Sequence, residues 1–480
     1  MDADKTGTSG ILSRRGFLQK AGAGVATAMA AGALGAPAAI ASSRAPLVLR
    51  TTPKTVRVAM IGTLSPQFKN VFGAFEKKHP GVKVDYIGVQ ALDWDGLVTK
   101  LLTMAAAGRS PDLTYVATEG VQQVASKGLS SPLDDYVKRD RTELMEYFAD
   151  VHPALVESYM YQGHLYQLPG DFNAVDMYYN TPVLRQAGFS EPPATWDKNT
   201  FYKIAKAITK KDSHGRTTRF GYGWVIRLWG SWTPWIDTAG GDLLTFGRWP
   251  GGSWLWDTFY KNNPQAKGRG GGIKWGAPTA NSPACVEALQ FMVQLVKEGI
   301  TPIPNVNGGG ALQGFFANGR LGMTPGGGFW AGGLHSAGMK PGTFDVQFFP
   351  RWRTGRTHFG TAGYAILNSA KDKDLAWEFY KYAISKEAMT YQLAGNGTTP
   401  VRRSMMTAAR YAPTGPKHWQ VFYQTLDHAG TRAMPAPPYY TQLADVLNKF
   451  TSQAMTGGAT PKQALDGMQR QLESIYSSSY

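Results

Sequence analysis

The stretch YQGHLYQLPGDFNAVDMYYN, Tyr161 to Asn180, decides how the chain is divided, because what precedes and follows it falls into two similar halves. Gly163 separates two short aromatic and β-branched runs and predicts a hairpin there. Pro169-Gly170-Asp171 follows Leu168, and a fixed proline φ beside a permissive glycine predicts a bend in an extended chain. A second strand, Val175 to Tyr179, is expected to leave that bend. The segment therefore reads as a crossover from one α/β unit into another, past an acidic corner at Asp171.

Length and composition fit that division. A chain of 480 residues, 43% hydrophobic and 12% aromatic, is long and apolar enough for two or three cored domains. Its one cysteine, Cys285, excludes an internal disulfide framework and a multi-cysteine zinc site, and reads as a small packed residue. No cofactor or metal is implied. The net charge of +16 raises nucleic acid as a partner, but the Lys and Arg are scattered and do not alternate with stacking aromatics. No nucleic-acid partner is expected.

The N-terminus carries a separate signal. Ser13-Arg14-Arg15-Gly16-Phe17-Leu18 precedes an Ala/Gly-rich stretch from Ala21 to Leu34, and Ala39-Ile40-Ala41 supplies small residues for cleavage. The pattern resembles a twin-arginine export signal over residues 1–41, with an unstructured leader over 42–54. The apolar part is too short and too broken by glycine to span a bilayer. No cysteine follows the cleavage site, so a soluble periplasmic product is expected rather than a lipid-anchored one.

In the remaining chain, Val56–Ile61 predicts a strand, Pro66 opens a helix with Phe68, Val71, Phe72 and Phe75 on one face, and Val82–Ile87 predicts a second strand. Strand, helix and strand within about thirty residues imply a parallel, right-handed crossover. A helix capped at Asp93 or Asp95, a strand from Pro111 to Val116 and a helix over Gly120–Ala125 follow. Further on, Ser282-Pro283 opens a helix, and Leu321–Thr324, Phe344–Pro350 and the Gly360–Leu367 segment predict strands. Tyr411–Tyr440 reads as irregular, and Leu443–Met455 and the segment after Thr460-Pro461 close the chain as helices expected to pack on the second lobe.

The order of short motifs carries a resemblance. Pro111-Asp112 before a strand, Gly128-Leu129, Pro132-Leu133-Asp134-Asp135, the hairpin with Leu168-Pro169, and a strand ending Tyr179-Asn180 stand in sequence. Ala187-Gly188, Pro192-Pro193-Ala194-Thr195-Trp196, Gly319-Arg320-Leu321-Gly322-Met323, Gly328-Phe329-Trp330 and Thr399-Pro400-Val401-Arg402 continue it. In that order they are similar to the family 1 extracellular solute-binding proteins of ABC importers. The resemblance implies an α/β fold of the type II periplasmic-binding-protein architecture, two lobes around a ligand cleft. The expected N-lobe is 55–170 with 360–403, and the expected C-lobe 171–359 with 404–480. Hinges are expected near Pro169–Asn173, Gly360–Gly363 and Arg402–Met405. The implied partners are a small-molecule solute, a sugar, oligosaccharide or related polyol, and the transmembrane subunits of an ABC permease; the protein itself is expected to be a monomer.

Eight of the fourteen tryptophans lie between Trp224 and Trp275, among paired glycines that exclude one regular element. A flat indole suits the C–H face of a sugar ring. Trp232, Trp235 and Trp330 are the expected stacking residues. Asp171 and Glu119 are expected to accept sugar hydroxyls, and Asp93 or Trp94 to complete the far wall. Gly328 is expected to offer its backbone N–H, with Thr361 and Arg402 lining the hinge side. For an anionic solute, Arg351, Arg356 or Arg402 would be the partner. The glycines around Pro325–Ala331 imitate a dinucleotide fingerprint, but Pro325 interrupts the turn and the preceding fold order is wrong. The chain lacks the zinc-peptidase, serine-hydrolase and phosphate-loop motifs, so no enzyme is expected. The alternative is an exported glycoside hydrolase-like enzyme using a pair among Glu119, Asp171 and Asp176.

Overall fold

The computed structural model describes residues 54–306, 308–394, 397–411 and 414–479. The export signal and nearly all of the leader lie outside the described residues. Two sheets organise the rest. In the first, the strands run in the order Thr399–Pro400, Leu168–Ala174, His358–Ile366, Leu113–Ala117, Lys54–Ile61 and Val82–Val89, with Arg432–Ala433 against His358–Ile366. In the second, the order is Phe344–Gln347, Asp176–Asn180, Leu321–Gly326, Thr217–Tyr222 and Lys210–Lys211.

The opening crossover is as its periodicity predicts. Lys54–Ile61 pairs in parallel with both Val82–Val89 and Leu113–Ala117. Helix Pro66–Lys78 starts on Pro66 behind a Ser65 cap and buries Val71, Phe72 and Phe75. Helix Trp94–Ala106 is capped by the Asp93 carboxylate and buries Leu97, Val98 and Leu101. Strand Leu113–Ala117 is buried throughout, as a central strand covered on both faces must be.

Two segments correct the sequence reading. Pro169-Gly170-Asp171 is no bend: it lies inside strand Leu168–Ala174. The register against His358–Ile366 steps from Ala362 opposite Asp171 to Gly363 opposite Pro169 and leaves Gly170 as an extra residue, so the Pro-Gly signal marks a bulge. The chain leaves this sheet only at Val175, whose N–H donates to the His358 carbonyl, and strand Asp176–Asn180 begins the second sheet. The segments expected to hinge at Pro169–Asn173 and Gly360–Gly363 are therefore neighbouring paired strands. Tyr411–Tyr440 is not wholly irregular, since it contains helix Val421–Asp427 and strand Arg432–Ala433.

The late helices tie the two halves together. Helix Tyr440–Met455 packs on helices Trp94–Ala106 and Thr118–Ser126 of the first half and on Pro283–Lys297 of the second. Thr441 donates to Gln123 at one end, and Thr451 accepts the Trp232 indole N–H further along. Cys285 is buried in Pro283–Lys297, and burial pushes its thiol up to about 12, consistent with packing rather than reactivity. No helix among the described residues is long and apolar enough to cross a membrane.

Helix Lys198–Ile208 lies so close to strand Thr217–Tyr222 that a Cβ on Gly221 would meet the Ala205 carbonyl oxygen at 1.9 Å. Neither backbone can yield cheaply. Gly221→Ala is expected to destabilise the protein by at least about 2 kcal/mol, read as a lowered midpoint in urea unfolding.

Candidate functional site

A cavity of about 230 Å³ opens where elements of both sheets meet. Helix starts supply two of its acids. Asp93 caps helix Trp94–Ala106, accepting from the Trp94 N–H at 2.8 Å, and Glu119 stands in the first turn of Thr118–Ser126, directly after strand Leu113–Ala117. Both sit where strands of an α/β sheet end and helices begin, the usual place for a ligand. Asp171 enters from strand Leu168–Ala174 with Asn173 two residues on, both on the cavity face.

The second half closes the cavity with aromatic and cationic groups. Arg227 and Trp229 come from the irregular segment before helix Thr233–Thr238, and Phe329 from the start of helix Phe329–Ser336. The Arg227 guanidinium lies over the Trp229 ring at 5.0 Å and near the Phe329 ring at 5.9 Å, and the two rings are 5.3 Å apart. Tyr440 reaches in from the last helix pair. Gly360 lies against the Trp229 indole, where a Cβ would stand 3.2 Å from Cδ1, so only glycine lets the strand pass beneath the ring without pressing on it.

The hydrogen bonding is uneven. Asp171 accepts from the Tyr115 hydroxyl at 3.1 Å, from the Ala362 N–H at 3.0 Å and from the Thr398 hydroxyl; burial outweighs these donors and pushes its carboxyl up to about 6. The Asn173 side-chain oxygen accepts from the Phe329 N–H at 3.3 Å, tying the two halves across the cavity. Thr361 donates its hydroxyl to the Asp171 carbonyl and its N–H to Thr118. Glu119 is only 5% exposed, and among the described residues its Oε2 has no hydrogen-bond partner, as is also true of the Trp229 indole N–H. Burial, reinforced by the nearby Asp93 charge, pushes the Glu119 carboxyl up to about 8. Asp93 is likewise raised by burial, partly offset by Arg227. A cavity that pairs aromatic faces with several unmatched polar atoms can bind a compact, hydroxyl-rich molecule.

Among the expected site residues, Asp93, Trp94, Glu119, Asp171 and Thr361 are brought together here. The others lie elsewhere. Trp232 and Trp235 are fully buried in the core: Trp232 donates to Thr451, and Trp235 packs among Phe201, Phe291 and Phe349 and donates to Tyr222. Trp330 is buried against Tyr178 and Phe316 and borders a smaller neighbouring space of about 170 Å³, which shares Arg227 and Phe329 with the main cavity. Gly328 packs on Thr399, whose hydroxyl would lie 2.0 Å from any Cβ, so its glycine serves close packing. Arg402 donates to the Ile384 carbonyl and covers the Tyr147 ring, away from the cavity. Neither Arg351 nor Arg356 lines it. Asp176, a candidate acid of the hydrolase alternative, is buried beneath Thr425 and does not reach the cavity.

Two sheets with a cavity where they meet, walled by acids from one side and by rings and a guanidinium from the other, define a two-lobe solute-binding protein. The chain belongs to the bacterial extracellular solute-binding protein family, whose model matches residues 62–390. A Brucella abortus relative described only as a binding protein is 23% identical over 415 residues, 85% of this chain and 90% of that one. An ABC transporter solute-binding protein from Thermotoga lettingae, solved with α-D-tagatose, matches with a TM-score of 0.71 at 21% identity, over 88% of this chain and 100% of that one. An ABC substrate-binding protein of Listeria monocytogenes, solved with cycloalternan, matches with a TM-score of 0.71 at 19% identity, over 88% of this chain and 99% of that one.

Two outcomes check this geometry. Trp232→Ala is expected to cost about 3–5 kcal/mol of stability, as large core truncations do, while the folded fraction keeps its ligand affinity within about threefold. Because folding raises the Glu119 carboxyl to about 8 from an ordinary 4.5, the unfolded chain releases that proton first. Ionisation of Glu119 then opposes folding from about pH 4.5 upward, by up to about 1.4 kcal/mol per pH unit, and levels off above about pH 8. In urea unfolding of ligand-free protein, Glu119→Gln is therefore expected to gain on the parent as pH rises through that window; a constant difference would contradict it.

Proposed function

We propose that the protein captures a sugar, oligosaccharide or related polyol and delivers it to the transmembrane subunits of an ABC permease. One observation carries this reading: Trp229, Phe329 and Trp94 offer ring faces in the same small cavity where Asp93, Glu119, Asp171 and Asn173 offer hydrogen-bonding oxygens. Sugar rings present C–H faces and a rim of hydroxyls, so they match both halves of that lining. The sugars in the two related solved structures support the same class.

Capture works by closure. The expected N-lobe, 55–170 with 360–403, and C-lobe, 171–359 with 404–480, are refined here to the two sheets, which the chain crosses between at Val175 and again between Gln347 and His358. Rotation about those crossings opens the cavity, and the solute stabilises the closed form because it touches both walls. The protein works as a monomer in the periplasm, exported through the twin-arginine signal at Ser13–Leu18.

Titration calorimetry against a panel of mono- and oligosaccharides is expected to give saturable binding with no release of reducing ends over hours. Turnover of any glycoside would replace capture with hydrolysis, and failure of every carbohydrate to bind would overturn the solute class. Trp229→Ala is expected to weaken the bound sugar at least tenfold, since a desolvated stacked ring contributes about 1 kcal/mol beyond its area. Its melting temperature serves as the control for folding.

A further inference from the structure

The charges around the cavity do not balance. Asp93, Glu119 and Asp171 face it, and among the described residues the lining contains one guanidinium, Arg227, with no lysine or histidine. Arg227 is held over the Trp229 and Phe329 rings, and among the described residues no ion pair joins it to a carboxylate. Asp171 already accepts from Tyr115, Ala362 and Thr398, so its acceptor capacity is largely used. Glu119 differs: it is buried, and its Oε2 meets no donor among the described residues. Asp95, Tyr115, Tyr159 and Tyr440, which also interact with this cluster, add no positive charge.

A buried carboxylate oxygen without a donor is costly; a hydroxyl offsets part of that cost, whereas a proton or a cation also removes the charge. A neutral polyol can donate a hydroxyl to Glu119 but leaves the excess of acids over cations in place. An ammonium group on the solute supplies the missing positive charge directly and donates up to three hydrogen bonds at once. We propose that the solute carries a protonated amine, as in an amino sugar or aminated polyol, received by the Glu119 and Asp93 carboxylates while its ring lies against Trp229. This rests on the carbohydrate reading of the same cavity and narrows it to a cationic subclass.

The test uses matched sets at pH 7: D-glucosamine, D-glucose and N-acetyl-D-glucosamine, the galacto and manno counterparts, and chitosan and chitin trisaccharides, titrated calorimetrically into the full-length protein. At least one amine is expected to bind tenfold or more tightly than both its hydroxyl parent and its N-acetyl derivative. In Glu119→Gln, and separately in Asp93→Asn, the ratio of amine to parent affinity is expected to fall toward one whatever the absolute affinities, with thermal melts confirming folding. A neutral or acetylated sugar binding as tightly as its amine would overturn the inference and leave the carbohydrate reading standing. An amine preference unmoved by either substitution would also overturn it. Absence of binding by every sugar, charged or neutral, would overturn both.

Discussion

The arrangement of the site depends on one strand pairing. His358–Ile366 enters the first sheet antiparallel between Leu113–Ala117 and Leu168–Ala174, so that Ala362 stands opposite Ala117 on one side and Asp171 on the other. That register sets the end of one strand, from which Glu119 follows by two residues, and the middle of another, which carries Asp171, at a fixed separation. The same strand carries Gly360 beneath the Trp229 ring and Thr361 against Thr118. A slip of one residue would turn each of these side chains to the opposite face of the sheet. The bulge at Gly170 helps to hold the register, because an extra residue there accommodates Asp171 and Pro169 against their partners only in this alignment.

Around that frame, the two halves contribute different chemistry. The first supplies acids at strand ends and helix starts, where backbone N–H groups favour negative charge. The second supplies rings and a guanidinium. Stacking Arg227 on Trp229 and Phe329 keeps its charge close to the acids without neutralising any one of them, which preserves acceptors for a ligand. The tryptophans between Trp224 and Trp275 mostly serve elsewhere: Trp224, Trp232 and Trp235 fill the core beneath this wall and make its inner surface rigid.

Much of this was legible in the sequence, and what was missed has definite causes. The opening strand–helix–strand unit follows from local periodicity, and Asp93 and Glu119 could be placed because strand ends and helix caps are local signals. The choice among tryptophans was not local. Trp229 and Trp232 are three residues apart in a segment without helical or strand period, so no face rule says which one points to the cavity. The glycines after Trp232 and Trp235, Gly240-Gly241, suggest a loop at a cavity, whereas packing against Thr451 and Phe291, residues distant in sequence, draws both rings inward. Gly170 was misread as a bend because bulge and turn share the same residue chemistry and differ only in whether a partner strand lies alongside. Arg227 carried no signal among 50 basic residues, and Tyr440 reaches the cavity only because the last helices fold back across both halves.

The uneven charge has a mechanical consequence. Arg227 on one wall interacts favourably with the Asp93 and Glu119 carboxylates on the other, and Asn173 accepts from the Phe329 N–H across the gap, so the protein alone already joins the two walls. Burial of Glu119, whose Oε2 has no donor among the described residues, opposes these contacts. In the capture proposed above, a ligand that satisfies this atom and fills the space beneath the Trp229 ring would remove that opposing term while leaving the favourable ones in place. On the capture reading proposed above, selectivity and closure share one buried carboxyl: a solute that cannot meet it would fit the cavity in shape and still fail to hold it shut.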